Sequence, residues 1–241
     1  MTIDILTLFP EMCENALNYS IIGRAMNEGK VEIACINFRN FTTNRQGQVD
    51  DYPYGGGAGM VLTAQPIHDC FVNICERRGK KPHLIYMSPK GKTLTQNRVN
   101  ELAKLDNIAV LCGHYEGVDQ RLIDEIVDEE ISVGDFVVTG GELPAMLMVD
   151  AIVRLLPGVL SGDESFENDS FYNNLLEHPH YTRPEIWQGR KVPEILLSGH
   201  HANIEKWRRE QSLKITNERR KDLFKDANLT ENDKNYIKSL D

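Results

Sequence analysis

Long apolar runs are absent from this 241-residue chain. None approaches the roughly 20 residues that a membrane-spanning helix needs. The first residues, MTIDILTLFPEM, carry neither a basic n-region nor a small-residue cleavage site, so no secretory leader is expected. Cysteine is sparse. Cys13, Cys35, Cys70, Cys75 and Cys112 lie scattered in apolar surroundings, form no CxxC, and have no histidines at zinc-ligand spacing. This excludes a disulfide scaffold or a zinc module and implies a reduced, cytoplasmic protein with buried thiols. Excess positive charge is also missing. Lys+Arg number 27 against 36 Asp+Glu, a net charge of −9, which excludes a broadly basic nucleic-acid coat. There are no internal repeats, and no G-x-G-x-x-G follows a strand pattern. No Lys-Ser/Thr follows the glycines near residue 57, so neither a nicotinamide fold nor a P-loop is expected.

What is present is a globular composition, 41% hydrophobic and 26% charged, with unevenly placed charge. His178–Asp241 holds 13 Lys+Arg and 10 Asp+Glu, leaving 14 against 26 for the rest. An acidic body with a mildly basic tail can still bind RNA locally, because phosphate contacts depend on local charge.

Periodicity predicts strands at Ile3–Phe9, Val31–Phe38, His83–Met87 and Ile108–Cys112, alternating with helices at Glu11–Glu28, Gln65–Arg78, Leu94–Lys104 and Val118–Ile126. That alternation implies an α/β fold with a parallel sheet. Thr42–Ala64 is a long glycine-rich loop, a length usually functional or disordered. Pro157–Pro184 has no apolar period and reads as a linker. From Ala202 a helical unit begins, with Ile204, Trp207, Gln211 and Ile215 on one face, and a last helix over Asn228–Asp241 is capped by Thr230 and Asp233.

Ile131–Ala145 concentrates the most punctuation. Phe136–Thr139 has strand composition, Gly140-Gly141 is a breaker pair, and Thr139 with Glu142 has capping-box spacing ahead of Pro144 in a first helical turn. Leu143–Leu156 is apolar nearly all round, the pattern of a buried helix. A tight βα turn without function accounts for this stretch as well as a ligand-holding helix start does. Three strands, however, end in special loops, at Ser88-Pro89, Gly113–Gly117 and Ser132–Gly141. Ligands in open parallel sheets sit at such carboxyl ends, so convergence favours a small-molecule site.

Four segments, DYPYGGGAGM (51–60), GHYEGVD (113–119), SVGDFVVTGGELPA (132–145) and EHPHYTRP (177–184), carry a resemblance in one order along the whole chain. The chain resembles the bacterial tRNA (guanine-N1-)-methyltransferases that modify position 37, members of the SPOUT superfamily. The resemblance implies a SPOUT-type parallel sheet with a deep trefoil knot, spanning residues 1–160. A flexible linker at 161–176 and a small α-helical tRNA-binding domain at 177–241 follow. It implies S-adenosylmethionine as methyl donor, an obligate homodimer with shared sites, tRNA bearing guanosine at position 37 as partner, and dependence on magnesium, for which no ligand motif is visible.

Site residues carry over by position. The cofactor pocket is expected from Tyr86, Met87, Ser88, Pro89, Gly113, Tyr115, Glu116, Ser132, Val133, Gly134, Asp135, Phe136, Val137, Val138, Gly140, Gly141 and Pro144. Asp169 matches the family's general base. Without the resemblance it is one of several loop carboxylates. Arg154 matches the arginine near guanine O6, and an i,i+4 pair with Asp150 is the alternative. For tRNA, Ser165, His180, Tyr181, Arg183, Trp207, Arg208 and Arg220 are expected, although Trp207 sits on an apolar face and suits a core. His178-Pro179-His180 is weak evidence for a metal. Glu177 stands where many relatives carry Asp. A SPOUT enzyme acting on ribosomal RNA or a ribose hydroxyl, and a catalytically idle RNA-binding protein, are the alternatives. Asp169 and Arg154 argue against the latter.

Overall fold

The computed structural model describes residues 1–160, 162 and 169–240. The chain divides into two compact units, Met1–Ser161 and Gly162–Asp241.

The first unit is built on strands β1 (Thr2–Thr7), β2 (Glu32–Asn37), β5 (His83–Thr93), β6 (Asn107–Cys112) and β7 (Glu129–Ser132). They form one sheet in the order β2-β1-β6-β5-β7, parallel throughout. Strand β1 is buried on both faces, as a covered parallel strand requires. Helices α1 (Pro10–Leu17), α2 (Ser20–Asn27), α4 (Gln96–Leu102) and α6 (Glu142–Val153) share one core with Ile3, Ile5, Ile85, Val110 and Ile131. Helices α3 (Ala64–Arg78) and α5 (Gln120–Ile126) share the other with Leu6, Leu84, Tyr86 and Leu111. Between β2 and α3, the glycine-rich loop holds a two-stranded antiparallel ladder of β3 (Asp50–Asp51) and β4 (Val61–Leu62). Asp4, fully buried in β1, is held by Arg78 at 2.9 Å and Arg77 at 3.1 Å, both from the end of α3. Gly79 then closes that helix in the left-handed region.

Several expectations change. The helix expected over Glu11–Glu28 is two helices. It breaks at Asn18–Ser20, where Ser20 takes φ +56° and the Asn18 carbonyl occupies the place of a Cβ on Gly23. The strand expected at Phe136–Thr139 does not form. β7 ends at Ser132, and the β-type residues Phe136 and Val137 stand exposed without ladder partners. The capping box of Thr139 and Glu142 is also absent. Gly141 is the N-cap of α6, and the Glu142 carboxylate is buried and accepts a hydrogen bond from the Thr7 hydroxyl at 2.7 Å. Strand β5 does not end at Ser88-Pro89. It continues past a register shift between Met87 and Lys92 and pairs Thr93 with Ser132. Helix α6 is not buried all round, since Leu143 and Leu147 are exposed.

The second unit contains a hairpin of β8 (Ile186–Trp187) and β9 (Arg190–Lys191), and helices α7 (Glu194–Leu197), α8 (His201–Arg219) and α9 (Glu231–Lys238). Residues expected in the linker pack here. Leu175 is buried, and the Leu176 amide donates to the Thr216 hydroxyl at 2.8 Å. The Thr230–Asp233 capping box on α9 forms in full, and Arg209 of α8 reaches Asp233 at 3.0 Å. No helix among the described residues is long and apolar enough to cross a membrane.

Candidate active site

The register shift of β5 and the carboxyl ends of β6 and β7 enclose a cavity of about 290 Å³ in the first unit. Its walls bring together Tyr86–Pro89, Gly113, Tyr115, Glu116, Ser132, Val133, Phe136–Val138, Gly140, Gly141 and Pro144. Of the residues expected there, Gly134 and Asp135 do not reach the wall. They make a tight turn in which the Phe136 amide donates to the Gly134 carbonyl at 2.9 Å and the Ser132 hydroxyl to the same carbonyl at 3.0 Å. Lys90, His114, Gly117, Val118, Ile123, Ile131 and Thr139 complete the lining. His114 and Thr139 lay inside motifs already singled out. Gly117 and Val118 lie in GHYEGVD and Ile131 opens the Ile131–Ala145 stretch, whereas Ile123 carries no sequence signal beyond that of core.

The walls are tied by main chain. Gly141 donates to the Gly113 carbonyl at 2.8 Å, and His114 and Gly140 form an antiparallel bridge. From the other side, the Glu116 amide donates to the Met60 carbonyl at 3.0 Å and Leu62 donates to Gly117 at 2.9 Å, so the glycine-rich loop is fastened to the loop after β6. Glycine is required where the walls touch. A Cβ on Gly141 would lie 2.7 Å from Cys112 Cα, and one on Gly113 would lie 2.8 Å from the Tyr86 hydroxyl oxygen. Burial, with the Glu130 carboxylate adding to it, pushes the Tyr86 phenol up to about 12, so it stays a neutral donor. His114 stacks edge-on against Phe9 and Tyr115, and its buried Nδ1 has no hydrogen-bond partner among the described residues. Arg154 is half-buried at the C-cap of α6, its amide bonded to the Asp150 carbonyl at 3.2 Å.

In the second unit, Asp169, His178, Glu205, Arg208 and Arg209 line a smaller cleft of about 120 Å³. Burial, helped by His180 and Arg208, lowers the His178 pKa and favours its neutral form. His180 is hydrogen-bonded to Glu177 at 2.5 Å, which gives the Glu177 carboxylate a partner. Trp207 is half-buried and lies 6.3 Å from the Tyr181 ring, which is itself exposed. Arg208 pairs with Glu205 at 2.6 Å, and Arg220 pairs with Asp222 at 2.7 Å while covering the Phe171 ring at 5.7 Å. Arg183 is exposed. Ser165 lies outside the described residues.

Fold and cavity together define a parallel α/β protein with a small-molecule cleft beside the carboxyl ends of β6 and β7, with glycines where its walls touch. The comparisons with known proteins narrow that class. The model of the tRNA (guanine-1)-methyltransferase TrmD family matches residues 1–226, and the chain belongs to that family. It is 55% identical to a tRNA (guanine-N(1)-)-methyltransferase of Ruminiclostridium cellulolyticum over 93% of this chain and 96% of the relative. It is 52% identical to that of Clostridioides difficile over 95% and 99%. A crystal structure of tRNA (m1G37) methyltransferase from Aquifex aeolicus superposes with a TM-score of 0.72 at 44% identity, covering 86% of this chain and 87% of that one.

Proposed function

We propose that this enzyme transfers a methyl group from S-adenosylmethionine to N1 of guanosine 37 in tRNA, with the cavity at the register shift of β5 and the ends of β6 and β7 holding the donor. The observation that carries this reading is the wall of Gly113, Gly140 and Gly141, where a Cβ would collide with the Tyr86 ring, with the Glu142 and His114 side chains, and with the Cys112 backbone in turn. Such a cradle fits an adenosine held by backbone groups. When bound, the sulfonium supplies the methyl group. The protein's part is to align it, remove the N1 proton and hold the charge that develops on guanine O6.

Asp169 takes the N1 proton, and Arg154 faces O6 as the electrostatic stabiliser, the roles their positions match in the family. Glu116, exposed on the cavity wall and braced against Gly59, faces the ribose or the methionine end of the donor. The exposed arginines at 183, 208 and 220, with His180, Tyr181, Trp207 and Ser165, contact the tRNA. Two copies of the chain complete each site. Exposed Phe9 and Met12 at the start of α1, with Leu143 and Leu147 on α6, which packs beside it, support a dimer contact on this face. The crossing of residues 133–141 from the edge strand β7 to the loop after β6, before α6 turns under the sheet, supports the trefoil knot. A cytoplasmic location follows from the substrate. No three His, Cys, Asp or Glu side chains among the described residues are grouped to hold a metal, so the magnesium expected from the family has no assigned ligands.

The test is to incubate the protein with labelled S-adenosylmethionine and tRNA transcripts with or without guanosine at position 37. Label appears only with that guanosine, and as 1-methylguanosine. Label in ribosomal RNA or on a ribose would favour the other SPOUT chemistries, and no label at all would favour a binding protein.

A further inference from the structure

The end of β1 contributes no residue to the cavity lining, yet its Thr7 is joined to the cavity by a closed circuit. The Thr7 hydroxyl accepts from the Phe9 amide at 2.9 Å, so its single proton goes to Glu142 Oε1, at 2.7 Å. The other carboxylate oxygen of Glu142 and the Nδ1 of His114 press on the same side of Gly140, where both would contact a Cβ. The His114 ring then returns to Phe9, whose ring centroid lies 5.3 Å away. Glu142 is buried and is the first residue of α6, so a carboxylate there also faces the positive end of the helix.

We infer that Thr7 and Glu142 are positioning residues for the methyl donor: their hydrogen bond fixes the Gly140–Gly141 wall of the cavity from outside it. The inference rests on the cavity being the donor site. A buried carboxylate that loses its hydroxyl donor must find another partner. Its second oxygen already lies against Gly140 on the side where His114 Nδ1 stands, so the wall moves when Thr7 fails. Turnover at saturating donor should be spared, because nothing in the circuit is placed against the reacting nitrogen.

The experiment compares Thr7→Val, which keeps the shape and removes the hydroxyl, with Thr7→Ser, which keeps the hydroxyl. Calorimetric titration with S-adenosylhomocysteine is run where both variants are fully folded. Thr7→Val should bind about tenfold more weakly, with the KM for the donor raised alike and kcat within about twofold, and Thr7→Ser should restore wild-type values. A Thr7→Val protein with a lowered melting temperature but unchanged affinity overturns the inference and makes the bond merely structural. A second measurement needs no variant. Hydrogen exchange at the Phe9 amide of the unmodified chain should slow when S-adenosylhomocysteine binds, although Phe9 is outside the cavity wall. Unchanged exchange at Phe9 also overturns it. If the unmodified chain does not bind the probe at all, the donor-site reading fails instead.

Discussion

The amide of Gly141 donates to the carbonyl of Gly113 at 2.8 Å, joining the start of α6 to the end of β6 with no side chain between them. A side chain at position 141 has to displace Cys112 Cα, 2.7 Å from its first carbon, and that atom belongs to a central strand. Gly141→Val should therefore weaken S-adenosylmethionine binding by at least about tenfold, and Gly141→Ala by less. Calorimetry showing unchanged affinity for the valine variant would remove this cavity as the donor site.

Asp169→Ala should abolish methyl transfer in single-turnover assays while the circular dichroism spectrum and melting temperature stay those of the unmodified chain. Loss of a positioned base lowers rate by about 10²–10⁴-fold. A retained single-turnover rate would show that another group takes the N1 proton.

Asp4 is fully buried and serves two arginines at once. Asp4→Ala leaves Arg78, itself mostly buried, without its main partner. It should destabilise the first unit by about 3–5 kcal/mol, measured by urea unfolding. A change below about 1 kcal/mol would mean that the network contributes little beyond what water offers the same groups.

Asp233 gives a pH dependence with a defined sign. Burial works against its charge, but hydrogen bonds from Arg209 and from the Thr230 amide hold its carboxyl below the ordinary value of 3.8. A carboxylate with a lowered pKa in the folded state stabilises above the unfolded value and ceases to do so as pH falls through the folded one. The advantage of the unmodified chain over Asp233→Asn should thus be full near pH 6 and shrink below 3.8. Thermal melts of both proteins across that range check it. A constant difference would assign the effect to packing.

Arg208→Ala and Arg220→Ala should weaken tRNA binding across sequences alike and each lower the slope of log affinity against log salt by about 1. A variant with weakened binding but an unchanged slope would place that arginine away from phosphate.

How much of this was written in the sequence depends on which interactions decide each element. Strands β1, β2, β5 and β6 and helix α3 follow from local patterning, because Ile3, Leu84 and Ile108 face helices on either side of the sheet, whereas the edge strand β7 was not expected at Glu129–Ser132. The convergence of three segments on one cavity was legible from their turn residues, Ser88-Pro89 and the glycines of the loops after β6 and β7, although β5 shifts register at the first of them and does not end there. The backbone conformation of Phe136–Thr139 was not legible, although Phe136, Val137 and Val138 do line the cavity as expected. β-propensity describes a residue that fits a half-buried pleated surface, and here the sheet has already ended at Ser132. The Thr139–Glu142 spacing misled for a related reason. A buried carboxylate takes whichever donor the fold supplies, and the Thr7 hydroxyl, 135 residues away, is that donor. The break between α1 and α2 carried no proline or glycine at Tyr19-Ser20, so periodicity ran through it. The exposed stripe of Leu143 and Leu147 looked like core because sequence records apolarity and not which interior receives it. In the second unit the Thr230–Asp233 cap was legible because both partners are local.

A cavity whose wall glycines leave no room for a Cβ has an evolutionary consequence. The main-chain tie between Gly141 and Gly113 cannot be altered by exchanging a side chain elsewhere, because a carbonyl or an amide is the same in every residue. Drift in Val133, Val137 or Val138 should leave donor recognition largely intact. An inhibitor that copied the backbone contacts would meet few single substitutions able to exclude it, since the plainest ones, at Gly113, Gly140 or Gly141, would damage the enzyme's own hold on its donor.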